Sequence, residues 1–118
     1  MIKLATPLLH VSNAAAAQDF YCTRLGFHLE YAHGPHGPEG DPCYMGISRD
    51  GAWIILSSFS GDGIAGGVVN LVVDDVDALH SEFLAAGVVI DLPPTDQTWG
   101  NREMYIKDAD RNCLRFQR

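Results

Sequence analysis

Short apolar runs alternate with turn-forming residues along the chain, and this pattern predicts two helices among several strands. Residues 14–24 place apolar side chains three and four positions apart, which is typical of a helix with one buried face. Asn13 before this segment is a typical N-cap, and Gly26 follows where a helix would stop. The second predicted helix has its cap at Asp74 or Asp75, its buried stripe at Val76, Leu79 and Phe83, and its end at Gly87.

Apolar and alternating runs of strand length surround the two helices. Residues 33–42 contain three glycines and three prolines, so they are predicted to form a loop. Asp50-Gly51 is typical of a two-residue hairpin turn. The predicted strands are residues 3–11, 27–33, 43–49, 53–58, 68–73, 88–92, 102–107 and 113–117, and a second loop is predicted over residues 93–100.

The order strand, helix and three strands therefore occurs twice. Asn13 corresponds to Asp75 and Gly26 to Gly87, which gives a repeat of 61–62 residues. The pattern predicts an α+β fold of two βαβββ modules, at about residues 1–59 and 66–118, within a single domain of 118 residues.

This duplicated order and several motifs resemble the glyoxalase/bleomycin resistance protein/extradiol dioxygenase superfamily, also called the vicinal-oxygen-chelate superfamily. The resemblance is closest to the bleomycin-resistance branch. It implies curved mixed sheets with a helix on the outer face, and a two-fold homodimer with equivalent clefts, often formed by exchange of modules. The motifs are Phe20-Tyr21, Leu25-Gly26-Phe27, VDDVDALH at 73–80, WGNREM at 99–104 and DADRNCLRF at 108–116. Arg111 is a departure, because the family usually has glycine there, and it predicts a strained or altered turn.

Composition excludes several classes of partner. Fifteen acidic and eight basic residues give a net charge of −7, which argues against nucleic-acid binding. The charge is uneven, since residues 101–118 carry three acids and five bases. No apolar run approaches the roughly 18–20 residues of a membrane span. Three scattered cysteines, Cys22, Cys43 and Cys113, suggest a reduced, cytoplasmic protein without a disulfide framework.

The resemblance also implies where metal-using relatives carry their ligands, on the first and last strand of each module. Threonine is a poor ligand, and valine, isoleucine and arginine offer no lone pair for a cation. His10 lies four residues beyond its ligand position, and His33 and His36 lie in a Gly/Pro loop where their spacing is more often incidental. We therefore expect no metal and no cofactor. The four implied positions are Thr6, Ile55, Val68 and Arg115.

Strand alternation predicts which side chains line the concave face of the sheets. A pocket rich in aromatic groups with a few polar ones is typical of a small-molecule site. The predicted ligand-binding residues are His10, Trp53, Asn70, Trp99, Glu103, Tyr105 and Arg115.

Several of these residues also have simpler interpretations. Trp53 could fill the sheet, His10 could be a partly buried histidine, and Glu103 could pair with Arg115 in a salt bridge. Trp99, on a loop bounded by proline and glycine, favours ligand stacking or a dimer contact over packing.

Three functions follow from these features. The first is a metal-independent binding protein of the bleomycin-resistance type, which sequesters an aromatic or cationic small molecule in a dimer cleft and so confers antibiotic resistance. The second is a metal-dependent lyase or dioxygenase of the superfamily with a displaced site at His10 and Glu103. The third is a module whose pocket serves only as a dimer interface. No nucleophile–base pair or phosphate-binding loop was found, so no catalytic residue is assigned.

Overall fold

The computed structural model describes all residues from Met1 to Arg118 and divides them into two units. One unit comprises residues 1–65 and the other residues 66–118. Each contains one helical segment and a four-stranded mixed sheet, as the α+β prediction of two βαβββ modules requires. Neither helix has the length and apolarity needed to cross a membrane.

The first unit arranges its strands in the order β1-β4-β3-β2. The strands β1 and β4 are parallel, whereas β2–β3 and β3–β4 are antiparallel. Both residues of the β3–β4 turn adopt a left-handed backbone, with φ of 50° at Asp50 and 83° at Gly51. The elements are β1 (Leu8–His10), α1 (Ala14–Gln18), a π-helical continuation of α1 (Asp19–Arg24), β2 (His28–His33), β3 (Tyr44–Arg49) and β4 (Ala52–Ser57).

The second unit repeats this arrangement in the order β5-β8-β7-β6, with β5 parallel to β8. Asp75 is the N-cap of its helix, since its carboxylate accepts a hydrogen bond from the Ala78 amide. Asn13 does the same for the Ala16 amide in the first unit. The elements are β5 (Val68–Val72), α2 (Val76–Ala85), β6 (Leu92–Asp96), β7 (Arg102–Lys107) and β8 (Cys113–Gln117).

A helix covers one face of the second sheet. The Phe83 ring of α2 lies 5.4 Å from the Phe116 ring of β8, and Met104, Ile106 and Leu114 are fully buried on the same side. Strand alternation then turns Glu103, Tyr105 and Arg115 to the opposite face. In the first unit the largest fully buried side chains are Val11, Tyr21, Leu25, Met45, Ile47, Ile54 and Leu56.

The β7–β8 turn is held by its own polar side chains. Asp108 accepts hydrogen bonds from the amides of Asp110 and Asn112, and the Asn112 side chain donates to Asp108. The side-chain oxygen of Asn112, Oδ1, also accepts from the backbone amides of Gly66 and Gly67. Arg111 adopts φ of 64°, so the turn has the left-handed position at which a glycine is preferred.

Two predicted strand boundaries are wrong. The first strand is confined to Leu8–His10 because Pro7 has no amide hydrogen and residues 1–5 lie exposed outside the sheet. The sixth strand is Leu92–Asp96 rather than residues 88–92, so half of the predicted loop at 93–100 is strand. Pro93 and Pro94 are tolerated there because β6 is an edge strand with a register shift between Leu92 and Thr95.

The helical predictions need smaller corrections. Residues 14–24 are helical as predicted, but the second half is π-helical rather than α-helical. Leu79, predicted to be buried, and Phe20, one of the regularly spaced apolar side chains of residues 14–24, are only half-buried.

Candidate functional site

Four side chains of the second unit form one connected group, which we call the Glu103 cluster: Trp99, Glu103, Tyr105 and Arg115. The Trp99 indole Nε1 donates to Glu103 Oε2 over 2.8 Å, and the Tyr105 hydroxyl donates to Glu103 Oε1 over 2.7 Å. Arg115 lies directly opposite Tyr105 in the β7–β8 register, with its guanidinium carbon 5.0 Å from the centre of the Tyr105 ring. The cluster brings together four of the seven predicted site residues.

Glu103 is a buried carboxylate whose oxygens accept from two neutral donors. Its exposed fraction is 4%. The Tyr105 hydroxyl and then the Trp99 indole lower the pKa of Glu103 below its ordinary value, because both donate to the ionised form. The carboxylate in turn raises the pKa of Tyr105, which keeps that hydroxyl protonated as a donor.

Trp99 combines exposure with a fixed position. Its exposed fraction is 63%, yet its Nε1 is tied to the buried Glu103. A ring that is anchored at one edge and open to solvent elsewhere presents a preorganised surface for stacking.

Arg115 does not form the salt bridge with Glu103 that its sequence position allowed. The β7–β8 register places Gln117 opposite Glu103, and Glu103 and Arg115 form no ion pair, although the Arg115 charge still lowers the pKa of Glu103. The Arg115 Nε is buried without a hydrogen-bond partner. Asn70 lies opposite Arg115 on its other side, in β5, and is exposed.

His10 and Trp53 lie in the sheet of the first unit. The His10 Nδ1 is 3.1 Å from the backbone oxygen of Asp62, and the Asp62 carboxylate accepts from the Ser57 hydroxyl over 2.7 Å. Trp53 is half-buried and lies at the start of β4, whereas His10 pairs with Ser57 at its end. The two predicted site residues of this unit are therefore not neighbours.

An aromatic stack in the first unit was missed by the sequence analysis. The Tyr31 ring lies 5.4 Å from the His33 ring and 6.4 Å from the Tyr44 ring, with interplanar angles of 21° and 14°. Gly46 lies under Tyr31, and a Cβ at that position would overlap the ring. A register shift between Leu29 and Tyr31 turns these two residues to opposite faces of β2, so simple alternation would have assigned Tyr31 to the core.

The residues do not fit the metal site implied by the resemblance. Thr6, Ile55, Val68 and Arg115 supply no adequate ligand set at the implied positions. Nowhere do three His, Cys, Asp or Glu side chains lie close enough to share a metal ion. No chemical step is therefore assigned to a metal.

Comparison with solved structures identifies the fold. A glyoxalase/bleomycin resistance protein from Streptomyces sp. CB03234 is 26% identical with a TM-score of 0.72, covering 97% of this chain and all of the other. TnmS3, an antibiotic-binding protein from the same organism, is 25% identical with a TM-score of 0.72, covering 98% and 96%. A bleomycin-binding protein complexed with bleomycin is 22% identical with a TM-score of 0.77, covering 99% and 98%.

Sequence comparison gives the family. No curated protein sequence matches the chain. The family described as the Glyoxalase/Bleomycin resistance protein/Dioxygenase superfamily, however, matches residues 3–116, nearly the whole length. The duplicated βαβββ architecture agrees with that match. This chain belongs to the glyoxalase/bleomycin resistance protein/dioxygenase superfamily.

Proposed function

We propose that this chain is a metal-independent binding protein of the bleomycin-resistance type, which sequesters a flat aromatic small molecule without changing it chemically. The observation that carries the proposal is Trp99, a largely exposed indole held in place by a buried, ionised Glu103. Fixing a ring before the ligand arrives reduces the entropy lost on binding.

Further support comes from the other aromatic surface and from the relatives. Tyr31, His33 and Tyr44 are stacked rather than dispersed, which provides a second flat surface, in the first unit. TnmS3 and the bleomycin-binding protein, both similar to this chain, are described as binding an antibiotic and bleomycin. We propose that the ligand lies in a cleft completed by a second copy of the chain, in a cytoplasmic homodimer.

The test is fluorescence titration with three aromatic probes: bleomycin, anthraquinone-2-carboxylate and anthraquinone-2-carboxamide. The titration uses a Trp53→Phe background, in which Trp99 is the only indole. We expect at least one probe to quench Trp99 emission in a saturable manner. In Trp99→Ala, measured by calorimetry, the binding free energy of that probe should become weaker by about 1–3 kcal/mol, which is the usual cost of losing an aromatic anchor.

Tyr44→Ala serves as the comparison on the other aromatic surface, and Trp99→Phe keeps a ring at position 99. Trp99→Phe should have an affinity between those of the unchanged protein and Trp99→Ala, because the ring remains but its hydrogen bond to Glu103 is lost. If no probe binds, or if Trp99→Ala binds as tightly as the unchanged protein, the proposed function is wrong.

A further inference from the structure

We propose that Arg115 recognises a carboxylate on the bound molecule, so that the ligand of this protein is an aromatic acid. The inference rests on the proposed function, and it goes further by naming the chemical class of the ligand. Three features support it: the absence of an ion pair at Arg115, the hydrogen bonds that Glu103 already accepts, and the cross-strand row Asn70–Arg115–Tyr105.

The first observation is that Arg115 forms no ion pair, unlike two nearby basic residues, although its charge still lowers the pKa of Glu103. Arg102 in β7 binds both Asp77, at 2.9 and 3.0 Å, and Asp96, at 3.0 Å. Lys107 in the same strand pairs with Asp91 at 3.5 Å. Arg115 instead keeps a buried Nε without any hydrogen-bond acceptor. A buried donor without an acceptor is costly. No hydrogen bond or ion pair involves the two Nη atoms of the same guanidinium either, and these are the nitrogens that a ligand oxygen can reach.

The second observation is that the nearby carboxylate, Glu103, already accepts hydrogen bonds from other side chains. Both oxygens of Glu103 accept strong hydrogen bonds, from Trp99 and Tyr105, and the residue is 4% exposed. Glu103 therefore offers little to a cationic ligand. Arg115, which is more exposed than Glu103, is the charge that an incoming molecule meets.

The third observation is the position of the guanidinium. Its carbon lies over the Tyr105 ring, 5.0 Å from the ring centre, and the Tyr105 hydroxyl is itself hydrogen-bonded to Glu103. A planar fork of N–H donors matches the two oxygens of a carboxylate. The exposed Asn70 on the adjacent strand can donate an amide hydrogen to the same group.

The test compares two probes with the same ring system, the anionic anthraquinone-2-carboxylate and its neutral amide, anthraquinone-2-carboxamide, at pH 7.5 by isothermal titration calorimetry. The unchanged protein should bind the acid at least tenfold more tightly than the amide. Arg115→Gln should reduce this ratio to below twofold, chiefly by weakening binding of the acid. Arg115→Lys, which keeps the charge but loses the fork, should give an intermediate ratio.

Arg118→Gln is the matched control, because it removes the same charge from the same unit at an exposed position outside the cluster. It should leave the tenfold ratio intact. If Arg115→Gln does not fold, Arg115→Lys decides the question, and an unchanged ratio in that variant contradicts the proposal.

The result that overturns the proposal is an acid bound no more tightly than its amide by the unchanged protein. If the amide or bleomycin still binds in a Trp99-dependent manner, only the role of Arg115 is wrong and the proposed function stands. If none of the three probes binds, both are wrong.

Discussion

At the residue scale, Glu103 gives the second unit a dependence on pH with a defined sign. Its folded pKa lies below its ordinary value, chiefly because of the Tyr105 hydroxyl. A carboxyl group with a depressed folded pKa stabilises the fold fully above its unfolded pKa of about 4.3, and this contribution is lost as the pH falls through the folded pKa.

Tyr105→Phe removes the main cause of that depression. The variant should be less stable than the unchanged protein at pH 7, and the difference in free energy of unfolding should shrink as the pH falls below about 4. Urea denaturation between pH 3 and 7 measures it. Tyr44→Phe, which also removes a phenol hydroxyl, should show a difference that does not vary with pH. A constant difference for Tyr105→Phe would show that the Glu103 hydrogen bond is not what stabilises this region.

Gly46 makes room for the aromatic stack. Because a Cβ there would overlap the Tyr31 ring, Gly46→Ala should destabilise the protein by about 1–3 kcal/mol, as overpacking does. The same substitution in a Tyr31→Ala background should cost much less, and a double-mutant cycle from urea denaturation gives the coupling. Equal costs in the two backgrounds would mean that Tyr31 does not lie over Gly46.

At the element scale, the β7–β8 turn contains a correctable strain. Arg111 has φ of 64°, where a side chain costs about 1–2 kcal/mol and glycine costs little. Arg111→Gly should therefore stabilise the protein by roughly 0.5–1 kcal/mol after the greater flexibility of glycine in the unfolded chain is subtracted. Arg111→Ala should bring no gain, because alanine keeps the Cβ. Thermal and urea denaturation of the two variants, side by side, decide the matter.

The features of the fold that depend on local sequence could be predicted. The bounds of β7 and β8, the Asn13 cap and the departure at Arg111 could be predicted, and the second cap was predicted to within one residue, because each depends on local chemistry. The position of β6 could not, because Pro93 and Pro94 argue against a strand unless the strand is known to lie at an edge. Edge position is a property of the whole sheet.

In the candidate site too, local features could be predicted and features that depend on strand register could not. Alternation correctly put Glu103, Tyr105 and Arg115 on one face, but it could not show that Glu103 binds Trp99 and Tyr105 rather than Arg115. The register between β7 and β8 sets Tyr105, and not Glu103, opposite Arg115. Tyr31 was missed because a single extra residue in β2 reverses the face on which it lies.

At the scale of the whole molecule, assembly remains a prediction. In the second unit taken by itself, α2 packs on one sheet face, and the face with Tyr105 and Arg115 is not the one it covers. Two-fold dimers are the commonest assemblies of identical soluble chains. Light scattering at micromolar concentration should give about twice the chain mass of 12.9 kDa. A single-chain mass would contradict the homodimer.

The two prolines of β6 also hinder the addition of a further strand at the edge of the second sheet. Neither Pro93 nor Pro94 can donate an amide hydrogen, and β6 is the outermost strand on its side. An intruding chain would find an interrupted row of donors, so this border resists fibril formation by strand addition. Replacing both by threonine should shorten the lag of thioflavin-detected aggregation under mildly destabilising conditions. The prolines that obscured the strand in the sequence thus protect the folded protein from ordered self-association.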